Sequence, residues 1–178
     1  TSRIKKLVEA EKNLSHALFY CVPGQLDEVI TLLGVDIGIR VHSFTFEETL
    51  NERNQLLSSF ASGSIQALVA IRCLDEGVDV PSTQTAYIIA SSGNPREFIQ
   101  RRGRILRKSP GKNSATVFDF ITVPPFNNGH DSNIARAERN ILKKELKRFK
   151  EFAESADNRF QANQVIWELA KKHDILDF

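Results

Sequence analysis

The sequence predicts an α/β fold: a parallel sheet covered by helices on both faces, followed by a C-terminal helical extension. The first sign is a set of short, nearly continuous apolar runs rich in β-branched residues, such as Ala67-Leu68-Val69-Ala70-Ile71 and Thr85-Ala86-Tyr87-Ile88-Ile89-Ala90. A strand with one wet face alternates apolar and polar residues; runs like these suit strands buried on both faces. The second sign is alternation. Strands are expected near 16–22, 38–43, 66–71, 85–90 and 115–120, and helices near 25–34, 47–60 and 95–106. The third is the size of the core. With 178 residues, 41% of them apolar, the chain can bury a proper core, and no segment approaches the run of about 18 apolar residues that a membrane-spanning helix requires.

In chain order, residues 2–12 read as a short basic helix, and Phe19-Tyr20-Cys21-Val22 as the end of the first strand. The helix over 47–60 is followed by Ala61-Ser62-Gly63. After the last strand come two prolines and a glycine, Pro124, Pro125 and Gly129, which no regular element tolerates. The expected division is therefore a domain over 1–122, a linker over 123–130 and a helical extension over 131–178. In the extension, Ile134, Ala137, Ile141, Leu142, Leu146, Phe149, Phe152 and Ala153 recur at helical spacing. The opposite face carries Arg136, Arg139, Lys143, Lys144, Lys147, Arg148 and Lys150. It reads as a solvated face, with a stripe facing nucleic acid as the alternative. A final helix near 161–172 is expected to bring Trp167 into an interhelical core beside Val165, Ile166 and Leu169, with stacking on a base as the alternative.

Charge is unevenly spread. The net charge is only +2, yet Arg96 to Lys112 holds seven basic residues against Glu97 alone, which suits a polyanionic partner. Within it, Gln100-Arg101-Arg102-Gly103-Arg104-Ile105-Leu106-Arg107 places Arg101, Arg104 and Arg107 three apart, on one face of a helix. Planar guanidinium is the side chain best matched to phosphoryl oxygens. Upstream, Cys73-Leu74-Asp75-Glu76-Gly77-Val78-Asp79-Val80-Pro81 forms a loop at the carboxyl end of a strand, where open α/β sheets bind ligands. Cys21 and Cys73 lie in or beside buried strands with no pairing pattern and read as reduced thiols of a cytoplasmic protein. The four histidines lack metal spacing, and no metal site is assigned.

The arginine segment and the Cys73–Pro81 loop together resemble motifs VI and V of superfamily 2 helicases and translocases (the DEAD/DEAH type), in the second of their two RecA-like motor domains. The resemblance extends from Asn13 to Phe120: Phe19-Tyr20-Cys21-Val22 looks like motif IV, and Arg53 to Gly63 like the approach to motif V. Where many members have threonine after the strand leading into motif V, this chain has Ile71, so a hydroxyl that would touch a phosphate is missing.

The resemblance implies a function. In such motors ATP, with magnesium, binds between two RecA-like domains; the first holds the phosphates and the second supplies guanidiniums to charge developing on the γ-phosphoryl group. Arg104 and Arg107 match the finger positions, and Gln100 and Gly103 open the same motif. Asp79 matches the residue that accepts from the ribose hydroxyl, with Gly77 giving its loop backbone freedom; a turn cap is the alternative reading of Asp79. Nucleic acid, DNA placed ahead of RNA, would be gripped through its phosphates by Val22-Pro23-Gly24, Ser43-Phe44-Thr45 and Arg72. These residues contain no phosphate-binding loop: Gly111-Lys112 is followed by Asn113 in place of a hydroxyl, and Asp75-Glu76 sits inside the motif V pattern rather than in an acidic metal box. The expectation is thus a chain that binds no cofactor alone and works with an N-terminal RecA-like domain of the same polypeptide. The rival is a nucleic-acid or partner docking module without motor activity.

Overall fold

The computed structural model describes residues 2–11, 13–71, 80, 82–89, 112–126, 132–175 and 178. They form two compact units, Thr1–Asp119 and Phe120–Phe178.

In the first unit, helix α1 (Ser2–Ala10) precedes strand β1 (Ala17–Tyr20). A 3₁₀ turn (Pro23–Gln25) leads into α2 (Leu26–Thr31), which widens into a π-type turn over Leu32–Asp36, where Ile37 N donates to Leu32 O at 3.1 Å. Strand β2 (Val41–Phe44), helix α3 (Leu50–Ala61) and strands β3 (Ala67–Ala70), β4 (Thr85–Ile88) and β5 (Thr116–Asp119) follow. Among the described residues the strands make one sheet, ordered β2-β3-β1-β4-β5, with every pairing parallel. All five strands fall where the apolar runs predict them. The expected helix over 95–106 lies outside the described residues.

Both sheet faces are covered, as the continuous runs require. Leu18, Tyr20, Phe44, Leu68, Ala70 and Ala86 pack with Phe60, Leu56 and Leu57 of α3. Successive side chains on a strand point to opposite faces, so Phe19 and Tyr87 belong to the other side. There Phe19 stacks on Tyr87 with ring centroids 4.4 Å apart, and Tyr87 on Phe118 at 4.9 Å. The paired register Phe19↔Tyr87↔Phe118 aligns these rings across three strands. Burial in this stack raises the Tyr87 phenol to about 12. Cys21 is buried at the end of β1, and desolvation raises its thiol to about 11.

Local signals set the ends of α3. Thr49 is its N-cap: the hydroxyl accepts from Glu52 N at 3.4 Å, while the Glu52 carboxylate accepts from Thr49 N at 2.8 Å. This reciprocal box starts the helix at Leu50, later than the periodicity suggests. At the other end Gly63, with φ of 78°, takes the left-handed conformation that closes the last turn, and its N–H donates to Phe60 O.

In the second unit, α4 (Ser132–Ala153) and α5 (Arg159–Lys172) form a helical pair. Leu142, Leu146 and Ala153 of α4 meet Ile166 and Ala170 of α5, with Ile175 closing the cluster. Arg148 donates to Glu145 at 3.0 Å and to Phe120 O at 3.2 Å, and Glu145 accepts from Thr122 N at 3.1 Å, which ties the segment after β5 to α4. One expectation needs correction. Trp167 is 54% exposed, outside the interhelical core. Its neighbours on the helix face at i±3 and i±4 are Asn163, Gln164, Ala170 and Lys171, and the apolar residues adjacent in sequence lie elsewhere on the circumference.

Among the described residues no helix is long and apolar enough to cross a membrane, and no cluster of histidine, cysteine and carboxylates could hold a metal ion.

Candidate nucleic-acid interface

Because β1, β2 and β3 are parallel neighbours, their carboxyl ends open on one edge of the sheet. The register makes these ends level: Tyr20 and Phe44 both pair with Ala70. The ladder continues one residue further, with Cys21 N donating to Ala70 O at 3.2 Å and Ile71 N to Phe44 O at 3.4 Å. Val22-Pro23-Gly24, the segment from Thr45 and Ile71 therefore begin side by side at the end of the sheet.

Val22 is 41% exposed, and Pro23 and Gly24 begin the 3₁₀ turn. Nothing lies within 4 Å of where a Gly24 side chain would project. The first N–H groups of a helical turn have no intrahelical acceptor, and the Gly24 N–H is one of these. That combination allows a phosphate close to the backbone.

The β2 segment divides its roles. Phe44 is fully buried and anchors the loop in the core, so it offers a ligand main-chain atoms only. Ser43 is half-buried, and its carbonyl lies 2.7 Å from His42 Nδ1. Thr45 is buried and already engaged: its N–H and its hydroxyl both donate to Glu48 Oε2, at 2.7 and 3.1 Å, and the hydroxyl accepts from Glu47 N at 3.2 Å. The chain here repeats one device, Thr45-x-x-Glu48 followed directly by Thr49-x-x-Glu52. The first closes the turn and the second caps α3. Between them Phe46 stands 63% exposed at the tip. The sequence reading missed both Glu48 and Phe46, although the doubled Thr-x-x-Glu spacing was a visible signal for a rigid turn.

The described part of this rim is acidic. From Cys21 to Thr31 and from Ser43 to Glu52 the chain has five carboxylates, Asp27, Glu28, Glu47, Glu48 and Glu52, and no lysine or arginine. Glu52 is held below the usual carboxylate range by the Thr49 N–H and then by the Thr49 hydroxyl. These loops can grip through amides and hydroxyls, and the cations for a polyanion must come from elsewhere. Ile71, at the position of the missing threonine, is buried. Arg72, Gly77, Asp79, Gln100, Gly103, Arg104 and Arg107 lie outside the described residues.

A five-stranded, all-parallel sheet in this order, covered by helices, is the fold of RecA-like helicase C-terminal domains. The family model for the helicase conserved C-terminal domain matches residues 2–109, and the chain belongs to that family, as the C-terminal motor domain of a superfamily 2 helicase or translocase. It is 42% identical over 78 residues to the DNA 3'-5' translocase XPB2 of Sulfurisphaera tokodaii, covering 44% of this chain and 17% of that protein. It is also 42% identical over 59 residues to Dicer-like protein 2 of Pyricularia oryzae, covering 32% of this chain and 4% of the relative. The chain thus spans less than a fifth of the length of these relatives. Among solved structures, the C-terminal domain of the DEAD-box protein Dbp5 superposes with a TM-score of 0.58 at 19% identity, covering 83% of this chain and 77% of that one. The C-terminal part of the Fun30 ATPase domain gives 0.59 at 14% identity over 86% of this chain and 53% of that one. At such identities these two likenesses establish the fold. The family match ends before the helical unit begins.

Proposed function

We propose that this chain is the second motor domain of an ATP-dependent nucleic-acid translocase or helicase, and that it completes an ATP site whose phosphate-binding half lies in a first RecA-like domain of the same polypeptide. The single observation that carries this reading is the alignment of the β1, β2 and β3 loops on one sheet edge within a family-matched domain whose own residues include no phosphate loop. Arg104 and Arg107 act as fingers that neutralise charge developing on the γ-phosphoryl group, and Gln100 and Gly103 shape their segment. Asp79 accepts a hydrogen bond from the ribose, on a loop freed by Gly77. Magnesium would be held mainly by the first domain. Nucleic acid crosses the rim formed by Val22–Gly24, Ser43–Thr45 and Arg72, held through its phosphates without regard to base sequence. DNA is favoured over RNA, since XPB2, one of the more similar relatives, is named a DNA translocase. Opening and closing of the two domains with nucleotide state would move these grips along the strand.

The test is ATP turnover in two forms of the protein. The 178-residue chain alone is expected to show no nucleic-acid-stimulated hydrolysis, and the full polypeptide with its first domain to show it. Turnover by the pure chain would refute the division of labour, and a full polypeptide that binds nucleic acid but never hydrolyses ATP would favour a docking module.

A further inference from the structure

The helical unit beyond the family match has a charged groove that the motor reading leaves unused. At about 100° per residue, Arg136, Arg139, Lys143 and Lys147 of α4 fall within an arc of about 80° and span about 16 Å of helix axis at 1.5 Å per residue. Over the same stretch the carboxylates Glu138 and Glu145 lie on the other side of the helix, and Glu145 is bound to Arg148 and Thr122 N. Arg136, Arg139 and Lys147 are exposed and Lys143 is half-buried. The upper part of the stripe is concave as well as basic: Arg136, Arg139, Asn140 and Lys143 line one side of a groove of about 460 Å³, with Asp174 and Ile175 on the other. Among the described residues of the lining, three are cations and one is a carboxylate. Further along, Lys150 turns to the ring of Phe178, with Nζ 5.4 Å from its centroid, and Glu154 ends the stripe.

We infer that this stripe is a second phosphate-backbone site, which holds a nucleic-acid strand through Arg136, Arg139, Lys143 and Lys147 independently of the sheet-edge rim of the motor unit. The inference rests on the proposed nucleic-acid function and deepens it. A strand rising 3.4 Å per nucleotide presents roughly five phosphates along 16 Å, so evenly placed cations on a straight rod match a polyphosphate. An acidic peptide is the other polyanion, but specific peptide grooves depend on apolar pockets for side chains. Among the described residues of the lining, Ala135 and Ile175 are the apolar ones. The motor rim supplies the complementary argument, since its described loops carry five carboxylates and no cation. Long-range attraction of a strand requires basic residues, and the α4 stripe adds to those at Arg72 and over Arg96–Lys112. Contacts of this kind position the strand and read no bases.

The experiment compares two triple variants of the 178-residue chain that lose the same charge. Arg136→Gln/Arg139→Gln/Lys143→Gln removes the groove; Lys144→Gln/Lys171→Gln/Lys172→Gln removes exposed cations of the same unit away from it. Binding to a labelled 20-nucleotide single strand is followed by fluorescence anisotropy over a range of salt concentrations. The groove variant is expected to bind at least tenfold more weakly at low salt. Its log–log salt slope should become shallower by about 2, from three contacts at roughly 0.7 each. The control variant is expected to stay within twofold of the parent. Equal losses from both variants overturn the site in favour of general charge attraction, and displacement of the strand by polyglutamate at matched charge assigns the groove to an acidic peptide instead. If circular dichroism shows the groove variant unfolded, single Arg139→Gln at an exposed position decides, with an expected slope change of about 0.7 and no change as the refuting result. Parent-like binding by the groove variant overturns this site and leaves the motor reading intact; absence of binding by the parent overturns both.

Discussion

Thr45→Val separates a residue that shapes the rim from one that touches the ligand. The substitution keeps the branched shape and deletes a hydroxyl that donates to Glu48 Oε2 at 3.1 Å and accepts from Glu47 N at 3.2 Å. The bond from Thr45 N to the same carboxylate, at 2.7 Å, survives. Of the two lost bonds, the one to the carboxylate is charge-assisted, and the Glu47 amide can turn to water because that residue is exposed. A net hydrogen bond contributes about 0.5–1.5 kcal/mol, more when charged, so the loss should total about 1–2 kcal/mol. For a chain of 178 residues that is a fall in Tm of about 2–8 °C, at 2–4 °C per kcal/mol. Thermal melts by circular dichroism measure the first effect, and anisotropy titrations at several salt concentrations the second. With the hydroxyl spent inside the turn, affinity should fall modestly while the salt slope stays unchanged, since no phosphate contact is removed. An unchanged Tm with a large loss of binding would refute this, because the hydroxyl would then belong to the ligand.

Other consequences follow from the same geometry. Thr49→Ala removes the α3 cap and should cost about 1 kcal/mol at neutral pH. Because the folded state holds Glu52 below its usual range, the carboxylate's contribution is present above the unfolded pKa and is lost as pH falls through the folded one. The gap between Thr49→Ala and the parent in urea melts should therefore narrow on acidification, and a gap that widens would contradict the cap. In a Cys73→Ser background, Cys21 should resist iodoacetamide at pH 8 in the folded chain and react at once in denaturant, since burial raises its thiol to about 11 and only thiolate reacts; rapid native labelling would place it outside the core. Gly24→Ala meets open space, so Tm should stay within about 2 °C, a surface substitution costing at most about 0.5 kcal/mol, while strand affinity drops if a phosphate approaches that amide. Parent-like affinity would move the contact away from Gly24.

The parallel sheet was legible because buried strands leave a strong mark: Ala17–Tyr20 and Ala67–Ala70 are apolar at every position, and Ala86–Ile88 at three in succession. Turn chemistry was harder. Periodicity placed the helix at 47–60, but the Thr49–Glu52 box decides its start, and the preceding Thr45–Glu48 turn holds Phe46 outward and hides the Thr45 hydroxyl. Trp167 was misjudged because apolar neighbours in sequence are not neighbours on a helix. Likewise Ile134 and Ile141 extend the apolar positions of α4 beyond the arc that is buried, and remain 56% and 47% exposed. The basic face of α4 looked like ordinary solvated surface in sequence, since a list of lysines and arginines does not show that three of them share a groove with Asp174 and Ile175. The finger and ribose residues rest on the motif resemblance, as Asp79, Arg104 and Arg107 lie outside the described residues.

The most direct measurement is single-turnover ATP hydrolysis by the full polypeptide, saturated with single-stranded DNA, carrying Arg104→Ala or Arg107→Ala. Groups that act on charge developing in the transition state lower kcat when removed and leave nucleotide affinity within a few-fold. Arginine fingers contribute roughly 10³–10⁵ in rate, so each variant should lose at least about 10³ in kcat while strand binding by the chain is retained. Hydrolysis at the parent rate in both variants would contradict the role of this chain as the domain that completes the ATP site.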